Sequence, residues 1–323
     1  MPPLNSVLVR VPATTANLGP GFDTLGLALR LYNRARVTRA AGRGVALTSP
    51  IADDARAGAE AMLRAAADLF FRRTRRPRFG VAVHLAGDVP VARGLGSSVT
   101  ARLGLVAGLN ALAGEPLDRA GLLAVVTELE GHPDNAAPAV YGGFTAAGLV
   151  EGAVRCARFR VPAAWRLVAL IPRFEVSTPA ARKLVPAQFT KADTVHSLNR
   201  AALITAAFAR GDAEALRGLF DDRIHQPYRE QLISALSRVI RAGERAGAVG
   251  GWLSGSGSTI MGLALDRAEA VGRAMLRELP DADVRVLAAD NRGVAGPGGS
   301  PPPKGVAPPP RLAPPPPPRV PVP

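Results

Sequence analysis

The stretch Pro90-Val-Ala-Arg-Gly-Leu-Gly-Ser-Ser-Val-Thr-Ala101 sets two glycines and two serines at the front of a helical pattern. Ala101, Leu103, Leu105, Val106, Leu109 and Leu112 then recur at helical spacing, which predicts a helix starting near Ser97, with Ser97 and Ser98 as N-cap residue types. Gly94 and Gly96 admit positive φ, so several backbone N–H groups can turn into one concavity at the positive end of the helix dipole. Such a concavity attracts an anion, and a phosphate group suits it. A glycine-rich turn before an ordinary core helix has the same composition, so the segment by itself leaves both readings open. It is not a Walker A loop: that loop needs a lysine after its last glycine, and the only lysines are Lys183, Lys191 and Lys304.

Other strings concentrate polar groups in a similar way. Asn17 and Asp23 lie in a run from Pro12 to Leu29 dense in glycine and proline; such a loop holds polar side chains at a surface or cleft, and plain turn formation explains them equally. In Glu128-Leu-Glu-Gly-His-Pro-Asp-Asn-Ala-Ala-Pro-Ala-Val-Tyr-Gly-Gly143, His132, Asp134 and Asn135 bring proton-handling and hydrogen-bonding groups together, although Gly131 and Pro133 also serve to stop a helix. Arg182 ends Ser177-Thr-Pro-Ala-Ala-Arg182, and Arg229 ends Asp222-Arg-Ile-His-Gln-Pro-Tyr-Arg229. From composition alone both are as readily surface arginines, and Arg223 and His225 are weaker candidates. In Gly250-Gly-Trp-Leu-Ser-Gly-Ser-Gly-Ser-Thr259, Gly255 and Gly257 permit close backbone approach to another segment or to a ligand.

The elements that must position these groups follow from patterning. Val7–Val11, residues 34–40 and 44–48, and Phe79–Ala86 read as strands, the last leading into the glycine-rich loop. Asp53–Phe71 reads as an amphipathic helix ending in a solvated basic cluster, and Pro116–Glu130 as a second helix. Two strands are expected from Phe144 to Phe159 and another at Trp165–Ile171, with a domain boundary near residue 155. A helix at about Thr194–Arg210, a strand at Ile260–Leu265, a helix at Ala268–Leu279 and a strand at Val284–Ala288 complete a second domain, 156–293. From residue 294 the chain turns into a proline-rich tail that holds 14 of the 30 prolines between Pro297 and Pro323 and cannot build a core.

The chain has 323 residues, enough for two domains. Its net charge of +14 is carried almost wholly by arginine scattered among apolar and acidic residues, a distribution unlike a specific nucleic-acid footprint, though it favours anionic small ligands. Cys156 is the single cysteine, so neither an intrachain disulfide nor a thiolate metal cluster can form, which fits a cytoplasmic compartment. No apolar run is long enough to span a membrane.

From Pro90 to Ser98 the sequence resembles the P-x-x-x-G-L-G-S-S signature of the GHMP small-molecule kinases, and the Asn17–Asp23, His132–Asn135, Arg182, Arg229 and Gly255–Gly257 strings resemble homoserine kinase segments in that family's order. Val99 and Thr100 depart from the small residues that often follow the signature, and a serine replaces the proline or alanine frequent in the third motif. The resemblance implies a two-domain α+β GHMP kinase fold. Its N-terminal domain, 1–155, would be ribosomal protein S5 domain 2-like with a left-handed β-α-β unit, and its C-terminal domain ferredoxin-like. It further implies ATP bound by Pro90, Arg93, Gly94, Leu95, Gly96, Ser97 and Ser98, with Gly255, Ser256 and Gly257 closing over the phosphates. Mg²⁺, which takes only one or two protein oxygens beside phosphates and water, would be held by Ser98 and one carboxylate, Glu130 in preference to Glu128.

L-Homoserine would meet Asn17, Asp23, His132, Asn135, Arg182 and Arg229, and Asn135, Ser98 and Glu130 would serve catalysis without a dedicated base, Asp134 being the only nearby candidate for one. The resemblance leaves a homodimer open. Two other functions are weighed against it: a GHMP kinase for another small alcohol such as mevalonate, and a non-catalytic regulator or nucleic-acid binder on the same fold.

Overall fold

The computed structural model describes residues 4–296; the proline-rich segment from Pro297 lies outside them. The chain opens with two long paired strands, β1 (Ser6–Ala16) and β2 (Leu25–Ala40), followed by β3 (Val45–Leu47), α1 (Asp53–Thr74), β4 (Gly80–Gly87), α2 (Ser97–Leu112), α3 (Arg119–Glu130), α4 (Ala136–Tyr141), β5 (Phe144–Val150) and β6 (Ala153–Phe159). These strands form one sheet in the order β3-β4-β2-β5-β6, with β1 paired to β2. β2 alternates along its second half, where buried Ala35 and Val37 are interleaved with exposed Arg34 and Arg36, but Leu25–Leu29 is buried throughout. A strand covered on both faces loses the two-residue period, so the strand expected at residues 34–40 begins nine residues earlier. The boundary expected near residue 155 falls inside β6, which pairs with β5 from Ala153 to Phe159.

The rest of the chain supplies β7 (Arg166–Pro172), α5 (Thr178–Lys183), α6 (Lys191–Arg210), α7 (Gln226–Arg229), α8 (Leu236–Arg245), β8 (Gly250–Leu253), β9 (Ile260–Ala264), α9 (Ala268–Glu278) and β10 (Ala282–Leu287). Its sheet order is β10-β7-β9-β8 with every pair antiparallel. Numbered within this half, that order is 4-1-3-2 with helices after the first and third strands, the ferredoxin-like arrangement. After β10 the chain returns to the first sheet: Asp290 N donates to Ala28 O at 2.9 Å, and Arg10 and Ala295 exchange both backbone hydrogen bonds.

Apolar burial explains how the halves hold one cleft. One cluster packs α1–α4 on the first sheet, and another packs α8 and α9 on the second. A third draws on both sheets, bringing Leu25, Leu27 and Phe144 together with Leu167, Trp252, Met261 and Leu263. Phe208 stacks on Phe144 at 4.0 Å within it. The loops at the end of β1, before α2 and after β8 therefore converge on a shared apolar floor.

Candidate active site

The glycine-rich loop turns into α2 at Ser97, as its pattern predicts, but the cap residue is Gly96 (φ 71°, ψ 31°) and no side chain caps the helix. The serines therefore occupy the first helical turn. Among the described residues the backbone N–H groups of Ser97 and Ser98 have no hydrogen-bond partner, which leaves them and the helix dipole for an anion. Leu95 is fully buried, and its carbonyl accepts from Thr14 N at 3.1 Å. Pro90 is half-buried at the loop's entrance. Arg93 is not free to wrap a ligand with its guanidinium: that group donates to the carbonyls of Pro172 (2.9 Å) and Arg173 and pairs with Glu175.

The loop after β8, with Gly255, Ser256 and Gly257, folds over this cradle. Trp252 Nε1 donates to Thr15 Oγ1 (2.9 Å), Ser254 Oγ lies 2.8 Å from that oxygen and 2.6 Å from the Gly94 carbonyl, and Thr259 N donates to Arg93 O. Trp252, Thr15 and Ser254 are all fully buried. Gly94 has φ 73°, and a Cβ there would stand 2.1 Å from the Ser254 carbonyl oxygen. Gly94→Ala must separate the two loops while adding about 1–2 kcal/mol of left-handed strain. A lower melting temperature, read by thermal denaturation, is the expected outcome.

At the foot of α2, Ser98 Oγ donates to Glu130 Oε2 at 3.2 Å, and Arg102 holds the other carboxylate oxygen at 2.6 Å while also donating to Leu129 O. Arg102 is one helical turn from Ser98, hence on the same face. Glu128 points elsewhere and pairs with Arg72 and Arg73 at the end of α1. Hard oxygen donors at the mouth of an anion cradle are the set a small divalent cation takes.

Beyond Gly96 the polar residues of the second side assemble. Asn135 Oδ1 accepts from Thr14 Oγ1 at 2.7 Å, and Asn135 Nδ2 donates to Asp134 Oδ1 at 3.3 Å, so the amide's orientation is fixed. Asp134 Oδ1 also accepts from Asn135 N (2.7 Å) and is bonded to His132 Nδ1. Asp23 holds Arg182 through two parallel hydrogen bonds, 2.7 and 3.1 Å. Ligand atoms of Asp23, His132 and Asp134 all lie within 4.8 Å of one another. Arg229, 1% exposed, comes in from α7, and both its guanidinium (5.3 Å) and that of Arg182 (5.6 Å) lie over the Phe22 ring. Asn17 also links two loops: its Oδ1 accepts from Asp23 N and its Nδ2 donates to Gly255 O, both at 3.1 Å, stapling the Asn17–Asp23 loop to the lid of the cradle. Arg223 stays at the surface on Asp193.

Burial lowers Arg229's pKa to about 10, and Arg182's charge pushes the same way, leaving it a cation at neutral pH. At His132 burial favours the neutral ring, but the hydrogen bond and charge of Asp134, with Asp23 farther off, outweigh it and raise the pKa above the usual 6.5. A raised value means that the pair stabilises the fold fully below the unfolded pKa, and that this contribution disappears as pH rises through the folded one. Asp134→Asn should bring the His132 midpoint down, read from its ring Cε1 proton by NMR titration.

Sequence reasoning missed Thr14, Thr15, Trp252 and Arg102. Arg102 carries a signal, four residues after Ser98 on one helix face. The others carry none, because their partners are remote in sequence.

The model of the GHMP kinases N terminal domain matches residues 61–143, and that of the GHMP kinases C terminal matches 204–281. A homoserine kinase of Moorella thermoacetica is 40% identical over 290 residues, covering 88% of this chain and 98% of that protein. One from Deinococcus radiodurans is 41% identical over 265 residues, 80% and 84% of the two chains. Among solved structures, the crystal structure of homoserine kinase from Cytophaga hutchinsonii superposes with a TM-score of 0.82 at 28% identity, covering 91% of this chain and 98% of that one. A mevalonate kinase from L. major in complex with R-mevalonate, at 17% identity and TM-score 0.69, shares the fold.

Proposed function

This chain belongs to the homoserine kinases of the GHMP kinase family, and we propose that it transfers the γ-phosphoryl group of ATP to the side-chain hydroxyl of L-homoserine, giving O-phospho-L-homoserine. The observation that carries the reading is an adjacency. An uncapped, glycine-lined helix start with the Ser98–Glu130 pair adjoins a cluster that offers both carboxylates and an arginine. A Cβ on Gly96 would stand 3.4 Å from Asn135 Oδ1, so Asn135 borders both sides.

The triphosphate would lie on Gly94–Ser98 beneath Gly255–Gly257. Ser98 and Glu130 would hold Mg²⁺, whose charge offsets that of the phosphates. Free homoserine carries an ammonium and a carboxylate, and the Asp23–Arg182 pair presents the two complementary charges. Asp23, beside His132 and Asp134, suits the ammonium; Arg182 and Arg229 suit the carboxylate. Asn135, fixed through Thr14 and Asp134, would orient the attacking hydroxyl.

Phosphoryl transfer asks mainly for alignment and charge neutralisation, since its loose transition state leaves little covalent work. Asp134 is 2% exposed, and its Oδ1 is held by His132 and by both nitrogens of Asn135. That supports a mechanism without a carboxylate base, in which the hydroxyl proton leaves with the transferred phosphoryl group's oxygens or to solvent.

Calorimetric binding of L-homoserine against homoserinol, which keeps the hydroxyl and amine but lacks the carboxylate, tests this reading. Homoserine should bind at least about tenfold tighter, the equivalent of one charge-assisted contact; equal binding contradicts it.

A further inference from the structure

His225 is the residue the mechanism above does not use. It opens α7 four positions before Arg229, is fully buried, and is enclosed by polar contacts of unusual constraint. Its Nδ1 is 3.1 Å from Arg229 Nη1, and its Nε2 is 2.8 Å from the Gly19 carbonyl oxygen. An arginine nitrogen can only donate and a carbonyl oxygen can only accept. Both contacts therefore require the same neutral tautomer, with the proton on Nε2 and the lone pair on Nδ1. Burial and the neighbouring Arg229 charge hold the ring's pKa at about 4, although Asp222 opposes them, so the ring stays neutral. The Phe22 ring stacks on it at 5.1 Å.

The consequence falls on Arg229. Its Nη1 also donates to the Gly255 carbonyl at 2.8 Å, so both Nη1 hydrogens are committed, and Nε reaches the Ala181 carbonyl only at 3.5 Å. Among the described residues Nη2 makes no hydrogen bond, which leaves it, with Nε beside it, as the edge available to a carboxylate. The anchorage of His225 itself is built in: Asp222 accepts from the backbone N–H groups of Ile224, His225 and Gln226, each at 2.8 Å, fixing the turn that starts the helix. Gly19, the other end of the link, lies against Phe220; a Cβ there would stand 2.2 Å from Phe220 O.

We infer that His225 is a positioning residue for substrate selection: its Nδ1 lone pair turns the Arg229 guanidinium so that the Nη2 edge, and not Nη1, meets the carboxylate of the amino-acid substrate. This rests on the carboxylate role proposed for Arg229, and the test separates the two.

Asparagine carries an amide oxygen near the place of Nδ1, and glutamine carries an amide nitrogen near the place of Nε2. His225→Asn thus keeps an acceptor for Arg229 and loses the Gly19 contact, whereas His225→Gln keeps a donor for Gly19 and loses the acceptor. The ratio of kcat/KM for L-homoserine to that for homoserinol is measured for wild type and both variants. His225→Gln should lose about tenfold of that ratio through KM for homoserine, with kcat and KM for ATP changed less than about threefold. His225→Asn should keep the ratio within about threefold of wild type. A wild type without preference for homoserine overturns the carboxylate role and this inference with it. A wild-type preference lost equally in both variants, or in neither, overturns the inference alone and makes His225 a packing residue. If either variant fails to fold, ¹⁵N NMR of the wild-type ring at neutral pH decides: an Nε2-protonated neutral imidazole is expected, and an Nδ1-protonated ring or an imidazolium contradicts it.

Discussion

Glu130→Gln should lower turnover at saturating substrates by about two to three orders of magnitude, while Glu128→Gln leaves it within about twofold because an exposed ion pair contributes little. The two carboxylates are neighbours on α3, yet only Glu130 reaches Ser98, at 3.2 Å, and only Glu130 is gripped by Arg102. Glutamine keeps the shape and can still accept from Ser98, so the loss isolates the negative charge. Leaving Arg102 without its carboxylate costs stability as well, about 1–3 kcal/mol for a partly buried charged partner, so melting temperature is measured in parallel. Equal activity losses in both variants would place the metal-holding carboxylate elsewhere.

The second large effect is at Arg229. Arg229→Lys should raise KM for homoserine about ten- to a hundredfold, with KM for ATP changing less than about threefold. A lysine has one nitrogen for the work of three: the guanidinium now serves His225, Gly255 and Ala181 and still keeps an edge. The same variant should lose most of the discrimination against homoserinol, since the contact removed by mutation is already missing from that analogue. Steady-state kinetics with both alcohols reads this directly; a variant whose preference for homoserine matches wild type would make Arg229 a structural residue.

Several parts of this arrangement were legible in the chain. Helix starts at Asp53 and Ser97 stand in the sequence because a helical apolar run follows a breaker, and the one at Ala268 because such a run follows a strand; the pairing of Ser98 with Glu130 was implied by the family resemblance, which preferred Glu130 to Glu128. The first half of β2 was not legible, because burial on both faces erases the alternation that marks a strand. The short α4, starting at Ala136 directly after Asn135, was hidden by Pro138. Tertiary contacts were the least visible. A Cβ on Gly26 would stand 1.8 Å from the Asp134 carbonyl oxygen, so a glycine in β2 allows the His132–Asn135 loop to seat, and nothing local to either residue says so. Thr14 and Thr15 look like polar interruptions of an apolar strand; they are the joints that fix Asn135 and the lid loop. Asn17 carries a role that its residue type leaves open: the resemblance implies a substrate contact, and in the structure its amide also fastens one loop to another.

The measurement that bears most directly on the central claim is product identification with the full chain, ATP and Mg²⁺, offering L-homoserine, homoserinol and mevalonate separately and following new phosphate esters by ³¹P NMR. An ester on the side-chain oxygen of L-homoserine is expected, formed with a kcat/KM at least about a hundredfold above that for either other alcohol, because only homoserine supplies both charges that Asp23, Arg182 and Arg229 are arranged to meet. Turnover of mevalonate or homoserinol at the same efficiency, or no ester on homoserine while another alcohol is phosphorylated, would contradict it.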